Sequence, residues 1–404
     1  MSETRTVKCN IVIETTPELA FEAVTRASEL REWFADQAWT QVRPGGRYEV
    51  RWESGYRAEG TFTALDAPRR AAVAWRGTAE PGETAVEVTL ELVEGGVEVT
   101  VLHTGFGAGD EWNPALAQAE KGWQVGLENL KSTLETGVDL RTALRPFLGV
   151  YPEVLNTERA AKEGIAAEQG IYLHDTVEGG GARAAGLAKG DVIVAIAGRA
   201  TPDYEQLHVA LGGLRAGDVV DVELVRGRVR QTVQVTLALR PQPEVPRTAE
   251  ALAQAVADLQ RDTDAALRSA VEGVTEEESG HSPAEGEWSA KQVLAHLTTT
   301  ERAVLNWMAD VASAGWVEGD DGDPAVTASR LAAVLAVKPT LQELVDRLLV
   351  DEAETVAFMR ALPQSVVAHR ARFRRMGQTA VGLPDHTREH IEQIKATIAA
   401  IRAA

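Results

Sequence analysis

Residues 385–394 read "DHTREHIEQI". As a helix this stretch puts His386 and His390 on one face, because residues four apart are neighbours on a helix surface, and Ile394, Ile398 and Ile401 extend the same line. An apolar line needs partners. The preceding chain supplies them in "TAEALAQAVADLQRDTDAALRSAV" (248–271), "SAKQVLAHLTTTERAVLNWMADV" (289–311) and "TLQELVDRLLVDEAETVAFMRAL" (340–362), each with apolar residues at helical period. Four helices of about twenty residues make a bundle of ordinary size. Ser289 is placed to cap the second helix, and Pro384 is expected to open the fourth, where its missing donor does no harm. On the second helix Val293, Leu297, Thr300, Val304 and Val311 form a core stripe with His296 beside it. Three imidazoles, His296, His386 and His390, are therefore expected to point into the bundle. From two helices they can hold zinc or a similar divalent ion and leave a fourth position for water. Three hydrogen-bonded core histidines are the competing reading.

Working outward, two proline-bearing stretches, "GVDLRTALRP" (137–146) and "LRPQPEVPRT" (239–248), interrupt the periodic patterns and read as linkers. They divide the 404 residues into three segments, 1–138, 145–240 and 248–404, which agrees with about one domain per 100–200 residues. The formal charge of −19 opposes a polyanionic partner, and no basic stripe with interleaved aromatics accompanies it, so nucleic acid is not expected. The single cysteine, Cys9, excludes an internal disulfide and reads as a small strand residue. The start, "MSETRTVKCN", has no apolar h-region, and no stretch reaches the ~20 apolar residues of a membrane span. The expectation is a soluble cytoplasmic protein.

The first segment opens with the alternating "VKCNIVIET", after which Thr16 and Pro17 start a helix whose Phe21, Val24, Leu30, Trp33 and Phe34 share a buried side. Strands follow: "RYEVRW", "GTFTAL", "AAVAWRG", "TAVEVTLEL" and "GVEVTVLHTGF" alternate with period two, the last pair joined at Glu94-Gly95-Gly96. A long amphipathic helix closes the segment, with Trp123, Leu127, Leu130 and Leu134 in a stripe and a stop at Gly137. Its stretches "TTPELAFEAVTRASELREWFAD", "VLHTGF" and "GWQVGLENLKSTLETG" resemble the START-like helix-grip superfamily, in particular the branch similar to the activator of heat-shock-protein ATPase. The resemblance implies an α+β fold with an apolar cavity between sheet and helix. Trp39, Trp52, Trp75, His103, Trp112 and Trp123 are then candidates to line it around an apolar small molecule, against the reading that they are core or rim.

The middle segment carries "FLGV" (147–150), "GIYLHDTVEGGGARAAGLAKGDVIVAIAGRAT" (170–201) and "LRAGDVVDVELVRGRVRQTVQVTL" (214–237). It is similar to the permuted, mainly-β PDZ domains attached to HtrA proteases. The resemblance implies capture of a protein's C-terminal or extended peptide, with Phe147, Leu148, Gly149 and Val150 forming the carboxylate turn, "YPEVL" the receiving edge, and Leu207 and Leu211 facing the side-chain pocket. Pro152 departs from this pattern by removing one donor from the edge. No Ser, His and Asp constellation comes with the module, so proteolysis is not inherited. "GAGDEW", "GGGARAAG" and "AKGDVI" lack the strand, glycine loop and helix order of a nucleotide site, and Gly186 to Asp191 reads as a turn between a short helix and a strand.

Read together, "EWSAKQVLAHL" (287–297) and "DHTREHIEQI" resemble the DinB-like four-helix superfamily, whose metal triad falls on His296, His386 and His390. That resemblance implies a divalent metal, zinc before nickel, iron or manganese, and in some members a low-molecular-weight thiol as cosubstrate. His281 is a candidate proton donor or an exposed loop residue. His369 with Arg370, Arg372, Arg374 and Arg375 reads as a solvated loop or a contact for an anionic thiol, and the acidic "EGDDGDP" (318–324) as a surface turn. The whole predicts a multidomain chain of helix-grip domain, PDZ domain and all-α four-helix bundle. Its expected role is a binding or adaptor protein, the alternative being a metal-dependent thiol transferase or hydrolase.

Overall fold

The computed structural model describes residues 4–314 and 324–403; the acidic stretch at 318–323 lies outside them. Two compact units appear, Met1–Asp139 together with Pro243–Ala404, and Leu140–Gln242.

In the first unit, β1 (Thr4–Ile13) leads into α1 (Pro17–Thr25) and α2 (Ala27–Trp33), followed by β2 (Gln37–Thr40), β3 (Arg47–Arg51), β4 (Arg57–Asp66), β5 (Arg70–Gly77), β6 (Thr84–Val93) and β7 (Gly96–Gly107). The strands form one antiparallel sheet in the order β1-β7-β6-β5-β4-β3-β2. Consecutive strands pair as the alternation predicts, and only β1 returns from a distance to close beside β7. A single 3-10 turn at Asp110–Trp112 then starts α3 (Asn113–Thr136), which buries Trp123, Leu127 and Leu130 against the sheet and ends on Gly137 in the left-handed region. Thr16 caps α1 through its side chain. The helix expected to run on through Phe34 instead breaks at Arg26, whose backbone is extended, and the bend lets the Trp33 indole donate to the Ala23 carbonyl at 2.9 Å.

The second unit contains α4 (Leu140–Ala143), β8 (Pro146–Phe147), β9 (Val150–Val154), α5 (Thr157–Glu163), β10 (Ile171–Thr176), α6 (Gly181–Ala184), β11 (Asp191–Ile196), β12 (Arg199–Ala200), α7 (Tyr204–Leu211), β13 (Val219–Arg226), β14 (Val229–Thr236) and β15 (Ala238–Leu239). Its main sheet runs β14-β13-β11-β10-β9, with β12 on β11, and β15 pairs with β8. The strand β9 is thus an outer edge. The turn expected at Gly186 to Asp191 joins α6 to β11, and Asp191 is buried against the Arg226 guanidinium at 2.7 Å.

The rest of the first unit is helical: α8 (Ala249–Val271), α9 (Glu276–Gly280), α10 (Ala290–Ala314), α11 (Pro324–Val337), α12 (Leu341–Arg360), α13 (Gln364–Ala368) and α14 (Arg370–Ala403). Each of α8 and α10 packs against both α12 and α14, which makes α8, α10, α12 and α14 the bundle. Ser289 caps α10 as expected, accepting from the Gln292 amide at 3.3 Å while Gln292 Oε1 accepts from the Ser289 amide at 2.8 Å. Pro384 does not open the last helix but sits inside α14. The fourteen residues before it stay helical because Phe373, Met376 and Ala380 are buried in the bundle core and Gly377 is packed so closely that a Cβ there would lie 2.3 Å from Val245, just ahead of α8, and 3.3 Å from Leu252 within it. Burial of that face outweighs the ~3 kcal/mol that an interior proline costs. Among the described residues no helix is long and apolar enough to cross a membrane.

Candidate metal centre

The three histidines meet. His296 comes from α10 and His386 and His390 from α14, and their ring centroids lie 5.4, 4.8 and 4.6 Å apart in pairs. One nitrogen from each falls within 4.8 Å of the others, a spacing that small side-chain rotations close onto one ion. The rings are half-buried rather than sunk in the bundle, so one side of the cluster faces solvent. Burial, with His390 and His386 adding to it, holds the His296 imidazole down at about 4; burial and His390 also lower His386. Neutral imidazoles are what a metal requires. His390 Nδ1 stands 2.7 Å from Gln393 Oε1, so as an N–H it donates there and turns Nε2 toward the cluster. Trp288, just ahead of α10, packs its ring 5.1 Å from His296. The donor set, protonation and exposure all suit a divalent cation with an open position. His281 is elsewhere, exposed and 2.7 Å from the Glu277 carbonyl.

The apolar core of the bundle changes where the histidines sit. One cluster holds Val293, Leu297, Ile391 and Ile394, another Val256, Met308, Met376 and Ala380. Between these positions lie buried polar residues, among them Thr298 and Glu301 on α10 and Asp351, Glu352 and Thr355 on α12. Burial, with the Asp264 and Glu301 carboxyls beside it, pushes the Glu352 carboxyl well above the usual carboxylate range. Asp351 keeps its charge partners, Arg302 at 2.9 Å and Arg347.

His369 and its arginines form no solvated loop. Arg370, Arg372, Arg374 and Arg375 lie in the first turns of α14, and the Arg372 guanidinium pairs with Glu29 of α2, both groups 8% exposed. Arg375 pairs with Glu32 at 3.0 Å, and His369 stands 3.6 Å from both Glu22 and Glu29. Burial raises the Glu32 carboxyl to about 7, whereas at Glu29 His369 and Arg372 more than offset burial and lower it. His369, Arg372 and Arg375 thus tie the helix-grip portion to the bundle.

The helix-grip cavity differs most from expectation. It is lined by Phe34, Trp75, Val101, Trp123, Leu127 and Leu130 among others, but amounts to about 30 Å3, room for about two waters. The Phe34 ring stacks on Trp123 at 5.3 Å and fills the space. Of the six candidates only Trp75 and Trp123 line the cavity. Trp39 lies on the edge strand β2, 38% exposed beneath Arg51. Trp52 is drawn to the rim by its bond to the Phe34 carbonyl at 2.6 Å, and Trp112 packs edge-on to Phe106. His103 is buried behind the wall, its Nδ1 accepting from Trp123 Nε1 at 3.2 Å and its Nε2 2.8 Å from Thr84 Oγ1.

In the second unit residues 147–150 form a turn. Phe147 pairs with Ala238 under the Arg240 guanidinium, Leu148 is buried, and Gly149 turns at φ +82° so that Val150 enters β9. Leu207 and Leu211 of α7 are half-buried and, like Val150, pack on the core that contains Leu148. Pro152 sits in the edge as expected, but its partner was not foreseen: the Tyr204 hydroxyl donates to the Pro152 carbonyl at 2.9 Å.

A sheet gripping its terminal helix, a six-stranded module with an open edge, and a helical bundle with converging imidazoles together define a three-module protein. The family described as activator of Hsp90 ATPase homolog 1-like protein matches residues 14–135, the PDZ domain residues 146–237, and the DinB superfamily residues 259–394. The chain is a fusion of these three modules. A probable periplasmic serine endoprotease DegP-like protein of Marinomonas sp. is 31% identical over 97 residues, and the periplasmic serine endoprotease DegP of Salmonella typhimurium 24% over 124. These matches cover 24% and 31% of this chain but only 21% and 26% of those proteins, so the chain spans about a fifth to a quarter of their length. Similar solved structures include the Aha1 dimer from Colwellia psychrerythraea (23% identity, TM-score 0.29, 32% of this chain and 96% of that one) and an HSP90 activator from Plasmodium falciparum (21%, 0.28, 32% and 95%).

Proposed function

We propose that the protein is a divalent-metal-binding adaptor: the PDZ module captures a protein chain end, and His296, His386 and His390 hold a metal, zinc before nickel, iron or manganese. The observation that carries the metal is the convergence of three half-buried imidazoles from two helices within 4.8 Å. The filled interior of the helix-grip module favours a role through its surface, with a protein as partner, over storage of a small molecule. Elemental analysis of untagged wild type beside the His386→Ala/His390→Ala variant tests the metal. About one divalent ion per chain in the wild type, lost in the variant, is expected; wild type that stays metal-free after reloading near neutral pH sinks the proposal.

A second reading, a metal-dependent thiol transferase or hydrolase, is favoured by the solvent-facing side of the cluster, where a fourth ligand can enter. A bound metal would lower the pKa of a water or thiol there and supply the nucleophile. The residues themselves would orient it, with Gln393 fixing the His390 ring. Cobalt-loaded protein titrated with glutathione should then develop a thiolate-to-metal charge-transfer band. An unchanged spectrum would exclude the thiol branch.

A further inference from the structure

The open edge of the six-stranded sheet is not uniformly available. Along a strand the hydrogen-bonding groups of successive residues face alternate sides. The Leu155 amide donates inward to Gly170 at 2.9 Å; counting back, Glu153 and Tyr151 also face inward, and Val154, Pro152 and Val150 face outward. Pro152 has no N–H to offer. Its carbonyl accepts from the Tyr204 hydroxyl at 2.9 Å, a bond that agrees with the outward assignment. The middle of this edge therefore lacks its donor, and its acceptor is already engaged by Tyr204.

The geometry of strand addition turns this loss into a length limit. A chain end whose last residue lies beside Val150 reaches Pro152 with the residue two before it, since an added strand bonds at every second position. Tyr204 is the first residue of α7, so its side chain spans from that helix to β9 across the groove between them. What remains open is the turn at Leu148 to Val150 and the half-buried apolar surface of Val150, Leu207 and Leu211.

Resting on the peptide-capture reading above, we propose that this module reads only the free carboxylate and the apolar side chain of a chain's last residue, and that Tyr204 and Pro152 exclude strand addition further upstream. The selectivity would then be for the terminal residue, with little for those before it.

Two N-acetylated probes test this: N-acetylvaline, whose acetyl carbonyl stops short of Pro152, and a pentapeptide ending in valine with alanine elsewhere. Each is titrated into full-length wild type and into Pro152→Ala/Tyr204→Ala, with binding followed by broadening of the peptide NMR lines. Wild type should bind both equally, and in the variant the pentapeptide alone should gain about tenfold from the restored backbone bonds. Should the double variant fail to fold, Tyr204→Phe and Pro152→Ala are read singly, and each should favour the longer peptide. Wild type that binds the pentapeptide about tenfold more tightly overturns the proposal and leaves peptide capture standing. Variants that gain nothing from length overturn it as well. If neither probe binds any of these proteins, peptide capture itself fails and the proposal falls with it, and amidated probes that bind as tightly as the free acids overturn the reading of the carboxylate.

Discussion

Replacing Trp123 by alanine tests whether the helix-grip interior is packed core or a ligand chamber. Trp123 is 8% exposed, stacks on Phe34 at 5.3 Å and donates to His103. Truncating a buried tryptophan costs about 3–5 kcal/mol through lost contacts and the cavity left behind. His103 Nδ1 would lose its donor in a buried site, which adds about 1–3 kcal/mol. The sum, about 4–8 kcal/mol, is comparable to the whole stability of a modest domain. Six of the nine tryptophans belong to residues 1–139, so urea unfolding followed by tryptophan fluorescence reports chiefly on this module. Indole, which matches the missing ring, should restore part of the loss in the variant and leave the wild type unchanged. A loss below ~1 kcal/mol, smaller than any buried aromatic truncation in that range, would refute the packed-core reading. Wild type that itself binds indole would refute it too.

Two further outcomes concern ionisable groups. His103 is held at about 4, below the 6.5 of an ordinary histidine, because burial disfavours its charged form. The unfolded chain then binds the extra proton, so stability should fall as the pH drops from about 6.5 toward 4, by about 3 kcal/mol at most. Urea midpoints of wild type and His103→Gln at neutral and mildly acid pH check this, and parallel slopes would count against it. Arg372→Ala should leave the buried Glu29 carboxylate with His369 as its remaining partner and cost up to about 3–5 kcal/mol, whereas replacing both by leucine should recover most of that. Thermal unfolding of the single and double variants measures the difference, and an unperturbed single variant would mean that the pair is not buried in solution.

Much of this architecture was legible because it is local. The period-two alternation from Arg47 to Phe106, the caps at Thr16 and Ser289, the stop at Gly137 and the four-residue spacing of His386 and His390 each depend on a few consecutive residues, and each appears as expected. That His296 could share an ion with a helix ninety residues away followed from inward periodicity on both helices, and the family resemblance of the two stretches strengthened it over the reading as separate core histidines.

Other features were decided by contacts between distant residues. Pro384 is interior to α14 because the preceding face is buried against α8, an energy that no local preference contains. Arg372 left the expected loop for a helix because its partner, Glu29, lies 343 positions earlier. The cavity is small because Phe34, after the bend at Arg26, lies on Trp123, and Trp39 misses it because β2 became the outer strand. The bond from Tyr204 to Pro152 spans 52 positions. By itself the sequence determined the modules, most of their elements and the histidine pair on one helix face, since backbone periodicity and capping are written within a few residues. Only the tertiary structure decided what fills the cavity, which charges are buried and how much of the β9 sheet edge stays open, because side-chain volume and electrostatic pairing depend on residues that folding brings together.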